Sequence, residues 1–153
     1  MGRLRTCSGI TLIELILVLV VGGIMSMVAV RSFSQVHGSL GARTAQSTFT
    51  GMHAQARAIS VEQGVPILLR VDPQSGVVSI RNLSGDVLRS RDFGTSYDVT
   101  IGTPNGVVDL CMVPRGFADP RCGNVDDRTE ITFTLGNRAR TVALLPLGQL
   151  VEE

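Results

Sequence analysis

The sequence predicts an α+β protein, a long N-terminal helix with a membrane-spanning first part packed on a C-terminal antiparallel β-sheet domain. Three observations carry this. An apolar run over residues 10–30 holds a single charge, Glu14. A helical stripe then continues to residue 63 without a proline. After Pro66 the hydrophobic period shortens to that of strands separated by turn residues.

With 153 residues, the chain has room for one modest domain and an appendage. The expected segments are a leader over 1–9, a transmembrane helix over 10–30, an extracytoplasmic helix over 31–64 and a β-rich domain over 65–153. Hydrophobic content is 44% but aromatic content only 4%, so aliphatic side chains supply the excess. Every basic residue is Arg. Beyond Arg3 and Arg5, 12 Arg face 13 acids. A balance so near neutral argues against bulk electrostatic capture of nucleic acid and leaves room for a local patch.

The run over 10–30 is long enough to span a bilayer as a helix, which takes roughly 20 apolar residues. Arg3 and Arg5 before it favour a cytoplasmic N-terminus. A secretory signal has a shorter apolar core and a small-x-small cleavage site, which Met27-Val28-Ala29 supplies poorly. A plain single-span anchor explains the length but not Glu14, since a carboxylate inside a span is costly.

Ala45, Phe49, Met52, Ala56, Ile59 and Gln63 fall on one helical face, with Arg43, Ser47, Gln55 and Arg57 opposite. Gly22-Gly23, Gly38 and Gly41 are weak points, and Gly64 with Pro66 ends the helix. Strands are expected at 67–71, 77–81, 87–89, 97–101, 107–113, 130–135, 141–145 and 150–151. The Gly136-Asn137 pair links two of them as a hairpin.

Of the three cysteines, Cys7 lies in the leader, and Cys111 and Cys122 bracket much of an irregular region over 114–128. No CxxC and no Cys/His cluster occurs, so no metal is expected. If the leader is removed and the body exported, Cys111 and Cys122 remain and can pair; the alternative is two partly buried thiols. No phosphate-binding Gly-rich loop precedes a helix, and His37 and His53 lie in the helical stretch. No catalytic residue, cofactor or enzymatic activity is therefore expected.

The segment Gly9-Ile10-Thr11-Leu12-Ile13-Glu14, with its basic leader and apolar run, resembles the type III signal of type IV pilins and type II secretion pseudopilins. That resemblance implies cleavage between Gly9 and Ile10 by a prepilin peptidase, which also N-methylates Ile10. Glu14 is then the fifth mature residue. Ile10 departs from the usual Phe but stays large and apolar. Cleavage creates a positive amine on Ile10, which Glu14 of a staggered neighbour can meet in a filament core. A buried charge needs such a partner, and breaking the pair costs on the order of 3–5 kcal/mol. Alternatively, Glu14 neutralises only its own amine while the subunit waits in the membrane.

The long helix followed by many short strands is similar to the GspH/FimT pseudopilin family. The resemblance implies a single-pass subunit of the bacterial inner membrane, with a periplasmic C-terminal domain and other pilins or pseudopilins as partners. One branch is a minor pseudopilin of a type II secretion pseudopilus, serving protein export. The other is a minor type IV pilin taking part in pilus assembly or DNA uptake. For that branch a basic C-terminal tail is expected, whereas this chain ends in Val151-Glu152-Glu153. Arg138 and Arg140 flank the Gly136-Asn137 turn and can meet phosphates. A solvated hairpin tip is the favoured explanation of the two, so secretion ranks first and nucleic acid second.

Overall fold

A computed structural model describes residues 11–125 and 127–152, and the side chains of all of these except 28–39. The expected cleavage point, Gly9 and Ile10, lies outside the described residues, as do Cys7 and the side chain of His37. The chain is α+β. A first helix, α1 (Leu12–Gln63), is followed by β1 (Ile67–Asp72), β2 (Val77–Asn82), β3 (Val87–Asp92), the short helix α2 (Phe93–Tyr97) and β4 (Thr100–Gly102). β5 (Val108–Met112), β6 (Thr129–Leu135), β7 (Arg138–Leu144) and β8 (Leu150–Glu152) complete it. The chain divides into two units, Met1–His37 and Gly38–Glu153.

In the first unit the helix starts at a cap. Thr11 Oγ1 accepts the Glu14 N–H at 3.3 Å, and the Thr11 carbonyl accepts the N–H groups of Glu14 and Leu15. Thr11 with Glu14 three residues on has the spacing of a capping box, in which Glu14 also favours the positive end of the helix. Helical structure runs through Gly22-Gly23 without a break. All side chains from 11 to 27 are exposed.

In the second unit, all strand pairs are antiparallel and form two four-stranded sheets, β3-β2-β1-β5 and β4-β6-β7-β8. One core joins them to the helix, where Ala42, Ala45, Phe49, Met52 and Ala56 are buried. The expected stripe therefore packs on the sheets as far as Ile59, which is half-buried, while Gln63 is exposed. The core meets at Phe133, whose ring lies 5.6 Å from both Phe49 and Phe93. This trio ties α1, β6 and α2 together; such ring pairs add roughly 0.5–1.5 kcal/mol each beyond their buried area.

Turn chemistry sets the hairpins. Asp72 accepts the N–H groups of Gln74 and Ser75, closing the loop between β1 and β2. Asn82 grips Asp86 through both its amide atoms, between β2 and β3. The strand expected at 97–101 is corrected: Asp92 caps α2 by accepting the Thr95 N–H, and Tyr97 closes that helix. Only residues 100–102 remain as strand, because the local cap outcompetes the alternation of Tyr97, Val99 and Ile101.

The outer edge of β5 is covered by the loop that follows it. Asp109 and Asn124 exchange hydrogen bonds, Asp119 N–H donates to Cys111 O, and a Cys111–Cys122 disulfide closes the loop. Gly123 is required here, because a Cβ would lie 2.5 Å from Asp109 O. On the solvent face, Arg70 makes a bidentate pair with Asp109 across β1 and β5, both bonds 2.8 Å. Exposed pairs of this kind contribute about 0–1 kcal/mol.

Replacing both Cys111 and Cys122 with Ser is expected to lower the stability of the β-sheet unit by roughly 3 kcal/mol, from the loop entropy returned to the unfolded chain. Calorimetry of the full chain in detergent checks this; an unchanged transition would mean that the hydrogen bonds of the loop hold it without the disulfide.

Candidate functional site

Two surfaces carry the residues singled out from the sequence. The first is the apolar part of α1. Leu12, Ile13, Leu15, Ile16, Leu17, Val18, with the other large apolar residues to Met27, point outward around the whole helix. A helix that is apolar all round needs lipid or other protein against it. The Ser26 hydroxyl donates to Gly22 O at 2.8 Å, so the polar atom is satisfied within the helix. Among the described residues no helix stretch is long and apolar enough to cross a membrane. The described side chains of this run stop at Met27, short of the expected end at Val30. Glu14 is exposed at the third helical position, and no side-chain partner of the opposite charge lies beside it among the described residues.

The second is the β-sheet unit. Arg138 and Arg140 open β7, both exposed, opposite Leu135 and Phe133 in register. They share one face of the strand, about 7 Å apart by strand geometry. The hairpin tip is solvated.

The residues that sequence reasoning missed lie where the chain end returns to the helix. His53 is buried, and its Nε2–H donates to Gly148 O at 2.9 Å. Arg57 Nη2 donates to the same oxygen at 2.9 Å, so Arg57 lies partly under the domain and not on the free face expected for it. Burial above all, then the Arg57 charge, lowers the His53 pKa to about 4, against the smaller opposing effect of the Gly148 bond. His53 is thus neutral, with its proton on Nε2. It is a closed hydrogen-bond donor, not an available base.

Gly148 itself is obligatory. Its φ is +78°, and a Cβ there would lie 2.9 Å from that of Ala118. Leu147 O accepts the Ala118 N–H at 3.0 Å, so the turn also holds the disulfide loop. Ser60 Oγ lies 2.8 Å from Val65 O and 2.9 Å from Met112 O, and its one proton serves either. The sequence signal for this junction was limited to Pro146-Leu147-Gly148 as a turn, since the partners lie 91 and 95 residues away.

Because the folded His53 titrates at about 4 and the unfolded one near 6.5, the unfolded state takes up the proton first as pH falls. Stability is complete above pH 6.5 and falls between about 6.5 and 4, by on the order of 2–3 kcal/mol. His53→Gln is expected to flatten the melting temperature over that window. A slope unchanged by the substitution would assign the acid sensitivity to other groups.

Neither protein-family models nor curated proteins give a match to this sequence. Two solved structures do. Both are crystal structures of the type IV minor pilin FimU of Pseudomonas aeruginosa (strain PAO1), in space groups P65 and P21. The first has a TM-score of 0.53 and covers 72% of this chain and 91% of that one; the second has 0.55, with 73% and 87%. Identity is 17% in both. The chain thus has the α+β fold seen in a type IV minor pilin, a long N-terminal helix followed by antiparallel β-sheet.

Proposed function

We propose that the chain is a minor subunit of a type IV pilin-like filament, a secretion pseudopilus or, as the alternative, a type IV pilus. The observation that carries it is the pairing of two independent features. One is the Gly9-to-Glu14 signal ahead of an all-round apolar helix. The other is a β-sheet unit folded like a type IV minor pilin. On this reading a prepilin peptidase cuts after Gly9 and methylates Ile10. The apolar helix waits in the inner membrane, with the β-sheet unit on the periplasmic side, and then packs among the helices of other pilins. Glu14 pairs with the amine of a staggered neighbour and sets the register. The pair disfavours misaligned subunits because an unpaired carboxylate in that setting is costly.

Glu14 has a second role available, as part of the cap begun by Thr11, and one substitution separates the two. Glu14→Gln keeps a capping-box residue but removes the charge. It is expected to be inserted and processed but not incorporated into filaments. Thr11→Ala weakens the helix start by about 1 kcal/mol and is expected to remain assembly-competent. Mass spectrometry of the mature N-terminus and filament shearing with immunoblotting are the readouts. An intact Met1, or normal incorporation of Glu14→Gln, would sink the reading.

The exposed Arg138 and Arg140, sharing one strand face, favour a second reading in which the same subunit contacts nucleic acid. Two phosphate contacts predict a log–log salt slope near −1.8 on duplex DNA. Gel-shift binding by the full chain in detergent, lost in the Arg138/Arg140 double Ala variant, would support it. Salt-independent binding, or binding retained by that variant, would count against it.

A further inference from the structure

The two sheets end in four edges, and they are not equivalent. The outer side of β5 is covered by the disulfide loop. β4 and β8 are three residues long. β3 is a six-residue edge strand, exposed over its first five residues, with no strand on its outer side among the described residues. An open edge of this length offers unpaired N–H and C=O groups to an added strand. Its register opposite Val78 and Ile80 turns Arg91 and Arg89 toward the helix side of the sheet. There they line a groove of about 410 Å³ with Thr48 and Gln55 of α1. Arg91 Nη1 donates to Tyr97 OH at 3.3 Å, while Arg89 and Arg91 make no ion pair with an acid among the described residues.

β8 is the counterpart. It ends sheet β4-β6-β7-β8, and its exposed Val151 and its Glu152 alternate in face. Glu152 lies opposite Val142 in register, on the helix side, where its Oε1 is 3.4 Å from Thr50 Oγ1, whose one proton serves either Glu152 or Gln46 O at 3.1 Å. The helix positions touching the two edges are distinct. Thr48, Gly51 and Gln55 line the β3 groove, whereas Thr50, His53 and Arg57 reach the β7–β8 end. At 3.6 residues per turn these sets lie on opposite sides of the helix. A basic edge and an acidic edge thus flank one unit on opposite sides. A contact between two such edges joins different surfaces of two copies, the head-to-tail type that builds rings or open filaments.

We propose that the open edge of β3 in one copy receives β8, Leu150–Glu152, of a second copy as an added antiparallel strand, with Glu152 facing Arg89 and Val151 facing Ser90. This deepens the filament reading and rests on it for the stagger that brings copies side by side. The charge match decides the occupant: an acidic strand fits a groove carrying two arginines, whereas a second β3 would oppose like charges directly, which is destabilising.

The test uses the full chain in detergent with Cys7→Ser. One tagged form carries Ser90→Cys, a second carries Val151→Cys, and the mixture is oxidised. A cross-linked pair is expected in about tenfold excess over the pair from Ser47→Cys on the outer helix face with Val151→Cys. Arg89→Glu should remove that excess, and Glu152→Arg added to the second form should restore it. Restoration also shows that neither reversal unfolded its chain. Equal yields from the Ser90 and Ser47 forms, an excess unchanged by Arg89→Glu, or no recovery by the reversed pair would each overturn the contact. Loss of the cross-link beside a cut leader and a Glu14-dependent filament overturns this contact alone. A retained cross-link beside an uncut leader supports the contact and overturns the filament reading alone.

Discussion

The helix face of Ala42, Ala45, Phe49, Met52 and Ala56 is the surface on which both sheets close. Neither sheet has another element of comparable length to bury its inner face, and an unpartnered sheet face is not stable in water. The small alanines let the strands approach, and the larger Phe49 and Met52 fill the space between them. Phe133 then spreads the contact to α2 through Phe93. The second half of α1 is thereby core of the β-sheet unit, while residues 12–27 expose an apolar surface of their own. One helix thus carries two kinds of surface, a buried stripe over 42–56 and exposed apolar side chains over 12–27.

The chain end is secured by an unusual economy of acceptors. Gly148 O takes two donors from the helix, His53 and Arg57, and the neighbouring Leu147 O takes one from the disulfide loop. A carbonyl has two lone pairs, so Gly148 O is fully used. This junction lets β8 lie beside β7 although it is only three residues long. The two edges of the sheet β3-β2-β1-β5 are treated differently. The β5 edge is sealed by a covalent loop, whereas the β3 edge is left open and is carried by exposed arginines, which discourage indiscriminate pairing.

Glu14 has a fuller account than its position in an apolar run first suggested. Thr11 caps the helix through the N–H of Glu14, and the Thr-x-x-Glu spacing makes a carboxylate there locally favourable. The local effect is worth about 1 kcal/mol. It does not remove the larger cost of a carboxylate enclosed by apolar helices, which still calls for an opposite charge. The cap and the proposed pairing differ in energy scale.

The sequence by itself determined the elements whose causes are local. The apolar run, the helix stop at Gly64 and Pro66, and the turns at Asp72, Asn82 and Gly136 follow from side chains within a few residues of each other. The stripe through Phe49 and Met52 was legible because a 3.6-residue period reports a buried face. Only the tertiary structure decided what depended on distant partners. Arg57 looks like a surface residue until Gly148 arrives from 91 residues away. Cys111 and Cys122 are joined because the loop folds back along β5, a pairing that their number allowed but did not require. α2 replaced part of a strand because the Asp92 cap was stronger than a short alternation. The open edge at β3 became visible with strand order, since a sequence shows which segments are strands but not which of them lie outermost.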